Sequence, residues 1–198
     1  MLSEDKRIRT KAQLKEWLAE ECGRYPLNAR RLIPYIFQAS DRAILRKHTV
    51  LLRKTEYYRN TGRRLLASLY YLRLTRMQMK YHLHVPVNCF EKGLNVVHCT
   101  PLVMNPNICI GKNCRVMPHV CIVGDDRSGK APVIGDNVTL GIGCTVMGDV
   151  YLADGITVGA GAVVTKSFYE KGISIAGIPA RKLRGPEERS ADSKSAAE

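Results

Sequence analysis

The sequence predicts a mainly β protein, a parallel β-helix preceded by an α-helical segment, and three observations carry that expectation. Between Ile134 and Val163 an aliphatic residue returns at every sixth position: Ile134, Leu140, Val146, Leu152 and Val158. Neither a helix nor a strand has a period of six, so the pattern is an internal repeat. Up to about residue 80 the apolar residues fall instead at helical spacing. After His84 the texture changes to short extended pieces punctuated by Pro86, Asn88 and Gly93.

The repeat holds hexad by hexad. IGDNVT, LGIGCT, VMGDVY, LADGIT and VGAGAV each open on Ile, Leu or Val, and that residue points into a narrow core. Gly, Asn and Asp in the remaining positions turn corners where the backbone takes unusual angles. Extended backwards, the period passes through Val116, Ile110 and Met104 to His98. The register breaks between Ile122 and Ile134 around GDDRSGKA (Gly124 to Ala131), which a β-helix can extrude from one corner. The organisation expected is a basic helical segment over 1–80, the β-helix over 81–184 and a charged, small-residue tail over 185–198 that is disordered.

Three helices are expected before the repeat. Leu14, Trp17 and Leu18 mark the first, over 11–22, with Gly23 and Pro26 after it. Ser40 or Asp41 caps a second helix carrying Ile44, Leu45, Leu51 and Leu52. The third, from about Gly62 to Tyr81, mixes leucines with Arg63, Arg64, Arg73 and Arg76. Residues 1–80 hold 19 of the 31 Lys and Arg but only 7 of the 18 Asp and Glu. This positive field suits polyanions, although no nucleic-acid-binding motif accompanies it. The third helix is read as packing against helices or subunits, with peripheral membrane association as the lesser reading. MLSEDKRIRTK lacks the apolar centre of an export signal, so the expected location is cytoplasmic.

Seven cysteines form no CxxC pair, and the number is odd. They read as reduced, buried hydrophobes. His98 stands out because the register demands an aliphatic residue there. It follows the apolar run Leu94, Val96, Val97, so its imidazole would be desolvated, neutral and able to accept a proton. His119, about one coil on, is a second candidate. His82, His84, His98 and His119 also raise a metal site, but their spacing suits one poorly, and no metal is expected.

The stretches GLNVVHCTPLVMNPNICIGKNCRV, PVIGDNVTLGIGCTVMGDVYLADGITVGAGAVVTKSF and IAGIPARKL resemble the hexapeptide-repeat acyltransferases of the serine acetyltransferase-like branch. The helical start resembles, less specifically, acetyltransferases of capsule and exopolysaccharide synthesis. The resemblance implies a left-handed β-helix, a homotrimer, active sites between neighbouring prisms, and acetyl-CoA as cosubstrate. It implies that His98 is the catalytic base. Gly141, Gly143, Gly159 and Gly161 would admit the pantetheine arm, Ala160 would contact it, Thr165 and Lys166 would meet the far end of the groove, and Arg181 and Arg184 would meet its phosphates. For any one glycine, corner geometry explains the residue equally well.

Two departures bear on the acceptor. Serine acetyltransferases place an aspartate about fifteen residues before the histidine; here that neighbourhood reads HLHVPVN, which leaves Asp125 and Asp126 as acids able to orient a histidine. They also carry an Arg-His pair in the loop that meets the amino acid, and here Lys130 and Ala131 stand in its place. The expectation is therefore an acetyl-CoA-dependent O-acetyltransferase acting on a sugar hydroxyl of a surface polysaccharide or its precursor. Serine acetylation is the alternative within the enzyme class. A γ-carbonic-anhydrase-like protein or a non-catalytic trimeric scaffold is the alternative outside it.

Overall fold

The computed structural model describes residues 1–26, 40–125 and 127–183. Asp126, Arg184 and the tail 185–198 lie outside the described residues. Helix α1 spans Lys11–Gly23, α2 Asp41–Asn60 and α3 Arg64–Tyr81. Thr10 starts α1 with a capping box, its hydroxyl accepting from the Gln13 N–H while the Gln13 side chain accepts from the Thr10 N–H. Ser40 caps α2 by accepting from the Ala43 N–H at 3.3 Å. Helix α3 has no such cap and ends on His82 in the left-handed region, φ +55°.

Short parallel strands follow, one on each face of a three-sided coil. One sheet stacks β1 (Asn95–Val96), β4 (Arg115–Val116), β7 (Thr139–Leu140), β10 (Thr157–Val158) and β12 (Ser174–Ala176), with β13 (Arg181–Lys182) added antiparallel. The second stacks β2 (Val103–Met104), β5 (Cys121–Val123), β8 (Thr145–Met147) and β11 (Val163–Val164). The third stacks β3 (Cys109–Ile110), β6 (Val133–Ile134) and β9 (Tyr151–Leu152).

Partners in the ladders lie one coil apart. Leu140 pairs with Val158 and Val146 with Val164, each eighteen residues on, which is three hexads. Across Gly124–Ala131 the step lengthens to twenty-four, Val116 pairing with Leu140 and Ile122 with Val146. Six extra residues are thus extruded and the stack continues, as the interrupted register implies. The repeat aliphatics form the core: Val116, Leu140 and Ile175 are fully buried, and Val158 nearly so. Each contributes roughly 1.5–3 kcal/mol by leaving water.

The first coil departs from the extrapolated register. Val96, not His98, pairs with Val116 and occupies the core position. Eight residues separate Val96 from the next core residue Met104, against six from Val116 to Ile122. The two extra residues bulge at a corner closed by the Thr100 N–H donating to the His98 carbonyl at 3.1 Å. His98 sits on that bulge.

The helices close the open end of the β-helix through one buried ion cluster. Arg53 of α2, fully buried, spends all five of its N–H donors. Two reach Glu21 of α1 at 2.7 and 2.9 Å, one reaches Glu56 at 2.7 Å, and two reach the carbonyls of Phe90 and Glu91 at 3.0 and 2.9 Å. Glu21 also accepts from the Gly93 and Leu94 N–H groups, and Glu56 from the Asn88 N–H. Trp17 covers the guanidinium face at 4.8 Å. One cationic side chain therefore fixes α1, α2 and the first coil relative to one another. Tyr25 adds a tie beside it, donating to the Val96 carbonyl at 2.5 Å.

His48, on the same helix, is buried near this cluster. Burial, with Arg53 nearby, pulls its pKa from the usual 6.5 down to about 4. The neutral imidazole is thus favoured by folding. Its contribution is complete above pH 6.5 and drains away as pH falls towards 4, by up to about 3 kcal/mol. Melting temperatures across this window are expected to fall less steeply for His48→Gln than for wild type. Identical slopes would remove His48 as the acid-sensitive group.

Candidate active site

The coil geometry sorts the candidate residues by edge. The edge joining the β1 sheet to the β2 sheet runs through residues 97–102, 117–120, 141–144 and 159–162. It carries His98, His119, Gly141, Gly143 and Ala160 in successive coils. The next edge runs through 105–108, 124–125, 127–132, 148–150 and 165–167. It carries Asp125, Lys130, Thr165 and Lys166. Within one chain the two groups therefore flank opposite sides of the β2–β5–β8–β11 sheet. Arg181, exposed on β13, opens the strand that covers the last coil.

His98 is not desolvated in the single chain: its side chain is 57% exposed, because the bulge carries it off the core position. What the fold supplies instead is a partner. Nδ1 of His98 lies 3.1 Å from Oδ2 of Asp41, the first residue of α2. An imidazole protonated on Nδ1 donates to this carboxylate, which leaves Nε2 free to accept a proton. Ser40 sets the start of α2, and the Arg53 cluster sets where that start lies against the first coil. The acid that HLHVPVN lacks thus arrives from another element, 57 residues earlier in the chain.

Asp125 does not serve His98. It closes its own loop, with its carboxylate accepting from the Arg127 N–H at 3.0 Å and its N–H donating to the Lys130 carbonyl at 2.8 Å. The hydrogen bond from Ser128, followed by that from the Arg127 N–H, holds its carboxyl below the usual range. Lys130 pairs with Asp149 at 2.6 Å. Both partners are largely exposed, and the pair anchors the loop against the next coil.

His119 takes φ +61°, and Gly143 and Gly161 take φ +65°, in one column of the edge. That histidine occupies a left-handed corner that glycine fills in later coils, exposed beside the His98 bulge. Gly141 has a steric reason to be glycine, since a methyl group there would lie 2.5 Å from the Val158 carbonyl oxygen. At Gly143 the left-handed angle is the reason, and nothing lies within 4 Å of a methyl group. The edge therefore offers open backbone beside the histidines. Lys166 is exposed over the Phe168 ring at 5.6 Å. Among the described residues no three His, Cys, Asp or Glu side chains come together as a metal-binding set.

Comparison with known proteins agrees with the repeat. Residues 131–166 match the family model for the bacterial transferase hexapeptide, six repeats. A probable serine acetyltransferase from Oryza sativa is 32% identical over 102 residues, covering 50% of this chain and 33% of that protein. The chain spans between a third and a half of the length of the curated relatives it matches first. Among solved structures, soybean serine acetyltransferase superposes with a TM-score of 0.64 at 23% identity, over 87% of this chain and 70% of that one. A serine acetyltransferase in complex with CoA gives 0.62 at 16% identity, over 87% and 71%. The left-handed β-helix expected from the sequence is the fold shared with these structures. Residues 131–166 are thus hexapeptide repeats of the bacterial transferase type, set in the fold of the serine acetyltransferases.

Proposed function

We propose that this protein transfers an acetyl group from acetyl-CoA to a hydroxyl, with His98 as general base and Asp41 as the residue that positions it. The His98–Asp41 pair, on the edge that also carries Gly141, Gly143 and Ala160, supports this reading most directly. Nε2 of His98 takes the acceptor hydroxyl proton as that oxygen attacks the thioester carbonyl. The new C–O bond forms, the C–S bond breaks, and the imidazolium returns its proton to the departing thiolate. Backbone N–H groups along the edge steady the charge that develops on the carbonyl oxygen. Asp41 holds the ring and offsets the imidazolium charge. Lys166 and Arg181 meet the phosphates of the CoA moiety as point charge and fork.

A threefold assembly fits the division of residues between two edges. The outer face of the β2–β5–β8–β11 sheet carries Val103, Cys121, Val123, Met147 and Val163, with Val103 and Met147 exposed in the single chain. Turning this face inward around a threefold axis sets the His98 edge of one chain beside the loop edge of its neighbour. Lys130, Thr165 and Lys166 then complete a site begun by His98 and His119 across the boundary.

Serine leads as acceptor, because the curated relatives that the chain matches first are named as serine acetyltransferases, whereas the sequence alone favours a sugar. A sugar hydroxyl is the second reading. Lys130 and Ala131 replace the Arg-His pair, and Lys130 is engaged with Asp149, so an amino-acid carboxylate loses its bidentate partner. Release of coenzyme A thiol, measured with serine, nucleotide sugars and oligosaccharides in turn, separates the two. Serine-dependent release supports the first reading, and sugar-dependent release alone the second. Release with neither would remove both. In the active assay, Lys166→Ala and Arg181→Ala are expected to raise KM for acetyl-CoA roughly tenfold each; an unchanged KM would misplace the groove.

A further inference from the structure

Helix α3 is apolar on two opposite sides. Leu74 and Met77 pack inward, with Tyr70 and Tyr81 against the same core. At spacings of four, three and seven, Leu65, Leu69, Leu72 and Met79 form a second stripe on the outer side. Leu65 is 89% and Met79 63% exposed, and Leu69 and Leu72 are nearly half exposed. Packing within the chain gives this stripe no use.

Charge distinguishes its partner. From Thr61 to Tyr81 the chain has five Lys and Arg and no Asp or Glu. Arg76 lies within the stripe, and Arg73 and Lys80 flank it. Between α2 and α3, Lys47, Arg73, Arg76 and Lys80 line a cavity of about 470 Å³ whose apolar wall is Leu51 and Met77. The ion pairs of the described residues leave all four cations out. A second copy docked symmetrically on this face would bring two acid-free cationic surfaces together, which is repulsive. An anionic lipid surface offers the complement to both features, headgroup phosphates for the cations and acyl boundary for the leucines. None of the described helices is long and apolar enough to cross a membrane.

We infer that the outer face of α3 docks this protein on an anionic bilayer surface. Leu65, Leu69, Leu72 and Met79 enter the headgroup boundary, and the cluster of Lys47, Arg73, Arg76 and Lys80 engages the phosphates. The inference stands apart from the acetyl-transfer reading, since no residue of that site takes part.

The test is co-sedimentation of the full chain with vesicles of phosphatidylcholine alone or mixed with phosphatidylglycerol. Wild type is expected to partition onto the mixed vesicles only, and to leave them in about 0.5 M NaCl. Each cation near such a surface contributes about fivefold, so Arg73→Gln/Arg76→Gln/Lys80→Gln should lose about a hundredfold in partitioning. Leu65→Ser/Leu69→Ser/Leu72→Ser should lose binding to a similar degree. Circular dichroism and thiol release in solution are expected to match wild type for both variants. Equal binding to neutral and anionic vesicles, or undiminished binding by either variant, would overturn the inference. So would a fall in solution mass with the leucine changes, which would assign the stripe to a second copy.

Discussion

His98→Ala is expected to release coenzyme A thiol about 10²–10⁴-fold more slowly than wild type, with KM for acetyl-CoA little changed. On the proposed reading, the size follows from losing a positioned proton acceptor while the residues assigned to acetyl-CoA are untouched. The side chain lies on an exposed bulge, so its removal opens no core cavity. The melting temperature should therefore stay near wild type, as for surface changes of about 0.5 kcal/mol. Steady-state kinetics beside a thermal melt separate chemistry from folding. A near-normal turnover in a folded variant would remove His98 from the reaction.

Arg53→Met is expected to have the largest effect on stability, a loss of about 3–5 kcal/mol in chemical denaturation. Against a total of roughly 5–15 kcal/mol, that loss endangers the fold. The cause is the company Arg53 keeps. Glu21 and Glu56 are buried with it, and without the guanidinium both carboxylates lose their counter-charge, keeping only backbone N–H donors, while two carbonyls lose the donor it gave them. Burial already pushes the Glu56 carboxyl up against the pull of Arg53. Adding Glu21→Gln and Glu56→Gln to the Met variant should restore part of the loss, because neutral amides need no counter-charge. No recovery in that triple variant would show that packing, and not charge, dominates at this position. Since the same cluster seats the start of α2 on the first coil, Arg53→Met should also weaken the Asp41–His98 contact.

Much of the fold is legible because a hexad repeat has few structural solutions. Ile134, Leu140, Val146, Leu152 and Val158 lie in the core where the period puts them, and the gap between Ile122 and Ile134 marks the extruded loop. Capping at Ser40 and leucine spacing likewise foretell the helices. The failures are local insertions and long-range contacts. Two additional residues before Met104 shift the register, so Val96 takes the core place that extrapolation gives to His98. Asp41 is legible only as a helix-start residue, since nothing in its neighbours tells that α2 begins against the first coil. That placement depends on Arg53 bridging Glu21, Glu56 and the backbone of residues 90–91, a contact set scattered over some seventy positions. The assignment of His98 and Lys166 to different edges also needs the coil phase, which the period alone leaves open.

On the proposed reading the helical segment supplies Asp41 to hold His98 as the base. A double-mutant cycle on acceptor-dependent thiol release tests it most directly, with Asp41→Ala, His98→Ala and the pair measured beside wild type. The expected result is a fall in kcat of at least about tenfold for Asp41→Ala at unchanged KM for acetyl-CoA. The double variant should be no slower than His98→Ala alone, because the two residues act as one unit. Wild-type kcat in Asp41→Ala, or losses that multiply in the double variant, would show that Asp41 does not act through His98.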